Sequence, residues 1–299
     1  MSRRRILILG GSGFIGGLVA DKAALDYEVV VTYNEHPESS SNCKWVGFHL
    51  PRDERKLEFL LTETNPDVVI NTLGLANIDK CEEMKSLARY LNAEFPQQLA
   101  EVCASRRVPI IHFSTDYVFD GRRGNYTEED SPSPINHYGR TKRNGEQAIL
   151  REPRNVVLRT SSVYDSSPKC RFVTYILQSL GTGSRVELYS DLRSSPTYGP
   201  DVARATFLVM EKNTGGVYHV AGSACVSRYE FGCLLAREFG YDSNAIRAIN
   251  FRRSSKMALR PSDTCLSNRK AHEYLGMGFV EVAEGMRAAH LKSDQSFLK

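Results

Sequence analysis

Short apolar runs alternate with helix-like stretches through the first half of this chain, and that alternation restricts its fold more than any other feature. Residues 6–9, 28–33, 45–48, 68–71, 108–113 and 156–158 are apolar runs of strand length. Between most of them lie residues 14–25, 54–63, 85–104 and 138–150, which read as helices. Nearly continuous apolar strands separated by helices indicate a parallel sheet buried on both faces. Right-handed crossovers make it an α/β, doubly wound parallel sheet.

After Arg159 the pattern changes. Gly, Ser and Pro become frequent at 161–168, 181–184 and 194–200. Helical stretches are expected at 172–180, 200–211, 228–239, 268–275 and 280–291, with a strand at 217–220. We therefore expect a dinucleotide-binding domain over residues 1–159 and a smaller α/β substrate lobe over 160–299. Part of that lobe, 217–220 especially, is expected to return to the main sheet.

Composition excludes several classes. Lys plus Arg number 39 against 35 Asp plus Glu, a net charge of +4. That excess is too small to indicate nucleic acid. The run Arg247, Arg252, Arg253, Lys256 and Arg260 has no interleaved aromatic beyond Phe251, so it reads as a solvated face. Nowhere are there 18 consecutive apolar residues, so no membrane span is expected. Arg3-Arg4-Arg5 before residues 6–9 mimics a signal peptide, but glycines at 10, 11, 13, 16 and 17 break the apolar run. The seven cysteines form no C-x-x-C pair, and no His stands at a zinc spacing. Buried reduced thiols in a cytoplasmic protein without a metal are the expectation.

Gly10-Gly11-Ser12-Gly13-Phe14-Ile15-Gly16 follows the first strand and opens a helix. Gly10 permits a tight turn, Gly13 a close backbone approach to a pyrophosphate, and Gly16 close helix–strand packing. The helix start at Phe14 and Ile15 offers free N–H groups and a positive dipole end. The second strand ends Val31-Thr32-Tyr33-Asn34, without the Asp or Glu that holds an NAD ribose, so Asn34 is the candidate there. The cofactor is read as NADP(H) or NAD(H), leaning to NADP(H).

Tyr138-Gly139-Arg140-Thr141-Lys142 places Tyr138 and Lys142 on one helix face. A nearby ammonium favours the phenolate and brings a tyrosine closer to useful acid–base range. Phe113-Ser114-Thr115-Asp116 ends a strand, where sites collect in such sheets. The Thr115 hydroxyl can hold a substrate carbonyl while Tyr138 supplies its proton.

These elements resemble the extended short-chain dehydrogenase/reductases. Residues 114–121 (Ser-Thr-Asp-Tyr-Val-Phe-Asp-Gly) and 126–142, followed by Gly145-Glu146, are similar to the dTDP-4-dehydrorhamnose reductase group. Asp79-Lys80-Cys81-Glu82, Leu91-Asn92-Ala93, Arg159-Thr160-Ser161, Ser195-Pro196-Thr197 and Arg260-Pro261 fall in the expected order. The resemblance implies a reductase that moves a hydride from a nicotinamide to the 4-keto group of a nucleotide-linked deoxysugar. It implies cofactor contacts at Asn71, Leu73, Gly74, Asn92 and Lys142. It implies substrate contacts at Thr115, Asp116, Tyr117, Tyr138 and Arg260, the last on phosphates. The group often dimerises, sometimes with a divalent ion, but no carboxylate cluster here assigns one.

The pattern departs at the substrate wall. Ser162 stands where the group often has a stacking Trp, and Asp165 where it has Gly. Asp191-Leu192 replaces an Asp-Gln pair, and His49 an adenine-side Asp. A second reading comes from another relative of this fold, the regulatory β subunit of methionine adenosyltransferase. It also lacks the Trp, and it would make this chain a binding partner of an enzyme.

Overall fold

The computed structural model describes residues 3–37, 42–252 and 257–296, so Arg253 and Lys256 of the basic run lie outside the described residues. The chain begins with β1 (Arg5–Leu9), α1 (Phe14–Ala23), β2 (Glu28–Tyr33), β3 (Lys44–Gly47), α2 (Leu57–Thr64) and β4 (Val68–Asn71). There follow α3 (Ile78–Glu83), α4 (Lys85–Arg89), α5 (Phe95–Ser105), β5 (Ile110–Thr115), α6 (His137–Ile149) and β6 (Val156–Thr160). After Thr160 come β7 (Val163–Tyr164), α7 (Arg171–Gly181), β8 (Val186–Tyr189), β9 (Arg193–Ser194), β10 (Thr197–Tyr198) and α8 (Gly199–Glu211). The last elements are β11 (Gly216–Val220), β12 (Val226–Ser227), α9 (Arg228–Glu238), β13 (Ile246–Ile249), α10 (Arg269–Leu275) and α11 (Val282–Ser296).

Seven strands form one sheet in the order β11-β6-β5-β4-β1-β2-β3, every pair parallel. This is the doubly wound sheet expected from the alternation. Successive side chains of β1 go to opposite faces. Ile6 and Ile8 pack with Val19 of α1 and Val202 of α8, whereas Leu7 and Leu9 pack with Leu61 of α2 and Leu99 of α5. Both faces are covered, so each strand must be apolar throughout. A further cluster joins α7, α9 and α11 through Ile176, Phe231 and Met286 over the β8–β13 pair.

The stretch 85–104, expected as one helix, is interrupted. α4 stops at Arg89, Tyr90–Glu94 winds as a π-helical turn, and α5 restarts at Phe95 with a proline in its first turn. Pro96 has no N–H to give a helix interior and is tolerated only near a helix start. The wide turn buries Asn92, whose amide spans Leu75 and Thr141. Such turns recur at functional sites. The expectation for the cysteines also needs correction. Cys225 and Cys265 are joined as a disulfide across 40 residues of sequence. No local motif encodes that pairing, because folding alone brings the two segments together. Cys81, Cys103, Cys170 and Cys233 are buried free thiols. Among the described residues no helix is long and apolar enough to cross a membrane.

One buried ion pair ties a sheet strand to the helix carrying Tyr138. Arg159 in β6 donates from Nε and Nη2 to the two Glu146 carboxylate oxygens at 2.9 and 2.8 Å. The guanidinium also lies 5.2 Å from the centre of the Phe119 ring and 3.4 Å from His219 Nε2 of β11. Removing one partner leaves an uncompensated buried charge. Arg159→Met is expected to destabilise the fold by about 3–5 kcal/mol in urea unfolding, and Arg159→Met with Glu146→Leu by much less.

Candidate active site

The glycine turn closes on itself. Gly10 adopts φ +85°, and the Gly13 N–H donates to its carbonyl at 3.0 Å. A methyl group at Gly16 would stand 2.3 Å from that carbonyl oxygen and 2.7 Å from Thr72 Oγ1, so only glycine fits. No side chain caps α1 at Gly13, which leaves its first N–H groups for a ligand. This uncapped cradle suits a dinucleotide pyrophosphate. Phe14 and Ile15 at the head of α1 line the adjoining cleft. Asn34 is exposed just past β2, two residues beyond Thr32, whose carbonyl accepts from the Gly11 N–H.

The opposite wall of the cleft is the segment after β4. Leu73, Gly74 and Asn92 line it. Asn71, expected to touch the cofactor, is fully buried beneath that wall. Its Oδ1 accepts from the Leu73 N–H at 3.1 Å, and its Nδ2 meets His112 Nδ1 at 3.1 Å. It sets the turn without lining the cleft, because β4 buries all four of its side chains.

Thr115, Tyr138 and Lys142 converge on the same cleft, whose volume is about 470 Å³. Thr115 ends β5. Asn136 caps α6 by accepting from the Gly139 N–H at 2.8 Å, which fixes Tyr138 in the first turn. Burial holds the Tyr138 phenol well above its ordinary 10, although a hydrogen bond with Thr115 opposes the rise. Burial pushes Lys142 down to about 8, against the opposing charge of Glu146. Lys142 Nζ donates to the Phe113 carbonyl at 2.6 Å and lies 3.4 Å from His112 Nε2. Desolvation thus dominates the phenol, contrary to the expectation that the lysine would lower it. The Tyr117 ring lies 6.0 Å from the Tyr138 ring, centre to centre.

Two expected substrate contacts have other partners. Asp116 is 4% exposed, and its carboxylate accepts from the hydroxyls of Thr115 (3.1 Å), Ser161 (2.8 Å) and Thr264 (2.5 Å). It touches the cleft wall but acts as a brace. Arg260 donates from Nη2 to Asp79 Oδ2 at 2.7 Å and from Nη1 to the Ala258 carbonyl at 3.2 Å. Burial pushes the Asp79 carboxyl up, yet the hydrogen bonds from Arg260 and Ala258 leave it below its usual value. Arg260 is held by a residue 181 positions away, a pairing that sequence spacing does not reveal.

Arg228 is a cation that sequence reasoning missed. It starts α9 and lies 5.5 Å from the centre of the Phe172 ring, at a second, adjoining pocket of about 220 Å³. The two pockets share Ser162, Val163 and Phe172. Ser162, at φ +43°, places its Oγ 2.8 Å from Ser194 Oγ. The only signal for Arg228 was its place at a helix start. Among the described residues, Cys225, Asp263 and Cys265 are the one acid, thiol or imidazole cluster close enough to hold a metal, and its sulfurs are joined to each other.

Comparison with known proteins agrees with the geometry. The chain is 32% identical over 275 residues to the probable low-salt glycan biosynthesis reductase Agl14 of Haloferax volcanii, covering 90% of this chain and 91% of that one. It is 32% identical over 272 residues to a dTDP-4-dehydrorhamnose reductase of Mycolicibacterium smegmatis, covering 90% and 79%. A crystal structure of a hypothetical dTDP-4-dehydrorhamnose reductase from Sulfolobus tokodaii superposes with a TM-score of 0.83 at 31% identity, covering 93% and 98%. The RmlD substrate binding domain family matches residues 4–291, and this chain belongs to that family.

Proposed function

We propose that this protein is an NAD(P)H-dependent reductase of the 4-keto group of a nucleotide-linked deoxysugar, with NADP(H) favoured. One observation carries this reading. Thr115, Tyr138 and Lys142 line the same cleft as the head of the uncapped α1 helix. Two of the relatives described above are named as reductases of dTDP-4-dehydrorhamnose. Residues 1–159 bind the cofactor in this reading, and 160–299 supply the substrate wall.

The chain's own groups divide the work. The glycine turn and the first N–H groups of α1 hold the pyrophosphate. The nicotinamide, when bound, supplies the hydride. Tyr138 keeps its proton at neutral pH because burial disfavours the phenolate, which is the correct state for an acid in the reducing direction. Its hydroxyl then protonates the substrate oxygen, and Thr115, whose proton goes to Asp116 in the resting cleft, turns its hydroxyl to that oxygen. Arg228 offers its charge to the substrate diphosphate, in place of Arg260. With Ser162 at the wall, Phe172 and Tyr117 are the aromatic rings offered to the sugar.

Turnover separates this reading from that of a non-catalytic subunit bound to a partner enzyme. Purified protein is expected to oxidise NADPH with a 4-keto sugar nucleotide, and a complete lack of turnover across a panel of such sugars would sink the proposal. Tyr138→Phe is expected to lower kcat by about 10²–10⁴-fold with cofactor binding retained, as read by NADPH fluorescence titration. Gly16→Ala is expected to do the reverse. Its methyl group overpacks the turn by about 1–3 kcal/mol, seen as a weaker Kd for NADPH or a lower Tm.

A further inference from the structure

His112 is fully buried in β5, belongs to no step described above, and stands between Asn71 and Lys142. The direction of every hydrogen bond through it follows from one backbone group. The Leu73 N–H can only donate, and it donates to Asn71 at 3.1 Å, so the atom it meets is the amide oxygen. The other end of the Asn71 amide is then an NH₂ donor, and it faces His112 Nδ1 at 3.1 Å. Nδ1 must therefore be the bare, accepting nitrogen. A neutral imidazole with a bare Nδ1 carries its proton on Nε2. Nε2 lies 3.4 Å from Lys142 Nζ. An N–H aimed at Nζ meets a favourable partner only if Nζ has a lone pair.

We propose that His112 is a positioning residue, locked by Asn71 in the Nε2–H tautomer, and that the N–H it turns to Nζ weakens the hold of the resting Lys142 on its proton. Once Lys142 gives up a proton, Nζ accepts from His112 and still donates to the Phe113 carbonyl. Lys142 in the resting cleft is then a group that titrates close to neutral pH, not a fixed charge.

The surroundings agree. Burial, followed by the charge of Lys142, keeps the imidazole well below its ordinary 6.5, so it stays neutral. Burial pushes Lys142 itself down to about 8. Three other titratable groups face this helix turn. The Glu146 carboxylate favours a charged Lys142 but is engaged on both oxygens by Arg159. Cys81 on α3 is pushed up to about 11 by burial, and its thiol donates to the Leu75 carbonyl. Tyr138 on α6 keeps its proton because burial raises its phenol.

Asn71→Asp tests the lock with little change of shape. A carboxylate accepts from both sides, so the imidazole must turn its proton to Nδ1 and leave Nε2 bare. Lys142 then gains an acceptor and keeps its proton to higher pH. Nitrogen-15 spectra of histidine-labelled protein, with His112→Gln for assignment and no cofactor present, report the tautomer directly. The expected wild-type result is a protonated Nε2 and a bare Nδ1 across neutral pH, inverted in Asn71→Asp. A wild-type Nδ1–H tautomer, or an imidazolium titrating near 6.5, overturns the proposal. If Asn71→Asp does not fold, the wild-type spectrum alone decides.

The kinetic arm rests on the reductase reading. In the pH profile of kcat/KM, the Lys142 step is expected to rise by about one pH unit or more in Asn71→Asp. A loss of rate with no shift of that step would mean that the pair is merely structural and would overturn the proposal. A wild-type protein without turnover would instead remove the reductase reading, and the tautomer would still be decided by the spectra.

Discussion

Three segments distant in sequence are held together at the end of β5 by one buried carboxylate. Asp116 lies just past β5, and its oxygens gather hydroxyls from Thr115, from Ser161 after β6 and from Thr264 near the C-terminus. Burial raises its carboxyl above the ordinary range, and the three hydroxyls oppose that rise. A buried carboxylate is tolerated only when its lone pairs are engaged. All three segments must therefore be in place together. The hydroxyl of Thr115 is aimed by the same carboxylate that anchors residues almost 150 positions later.

Water exclusion governs the rest of the cleft. The same desolvation raises Tyr138, lowers Lys142 and keeps His112 neutral. All three shifts favour the uncharged form of each group, as expected in a low-dielectric cleft. Pairwise attraction between tyrosine and lysine, the usual inference from their spacing, is secondary here. The lysine is directed at a backbone carbonyl and an imidazole instead.

The fold was legible because its signal is local. Apolar runs such as 68–71 must be strands buried on both faces, and the glycine turn can serve little else. The assembly of Thr115, Tyr138 and Lys142 in one cleft was also legible, since each stands at the end of an element with its own sequence cue. What escaped was non-local or single-residue in origin. Arg260 and Asp79, Cys225 and Cys265, and Asp116 and Thr264 pair only after the chain has wrapped around the sheet. The interruption of 85–104 turned on Pro96, whose weight depends on whether it falls inside a helix or at its start. Asn71 was placed one layer too high, because strand membership buries a side chain whatever its polarity.

The edge position of β11 has a meaning for how such proteins can be recombined. Gly216–Val220 closes the sheet beside β6, and α8 and α10 pack on the same face as α1. The polypeptide leaves the sheet at Thr160 and comes back to it some 55 residues later. A graft of a relative's C-terminal half at that first crossing would strip the host of the strand beside β6 and two covering helices. Exchange in this architecture is better made through the segment between Ser161 and Tyr198, which begins and ends on one scaffold.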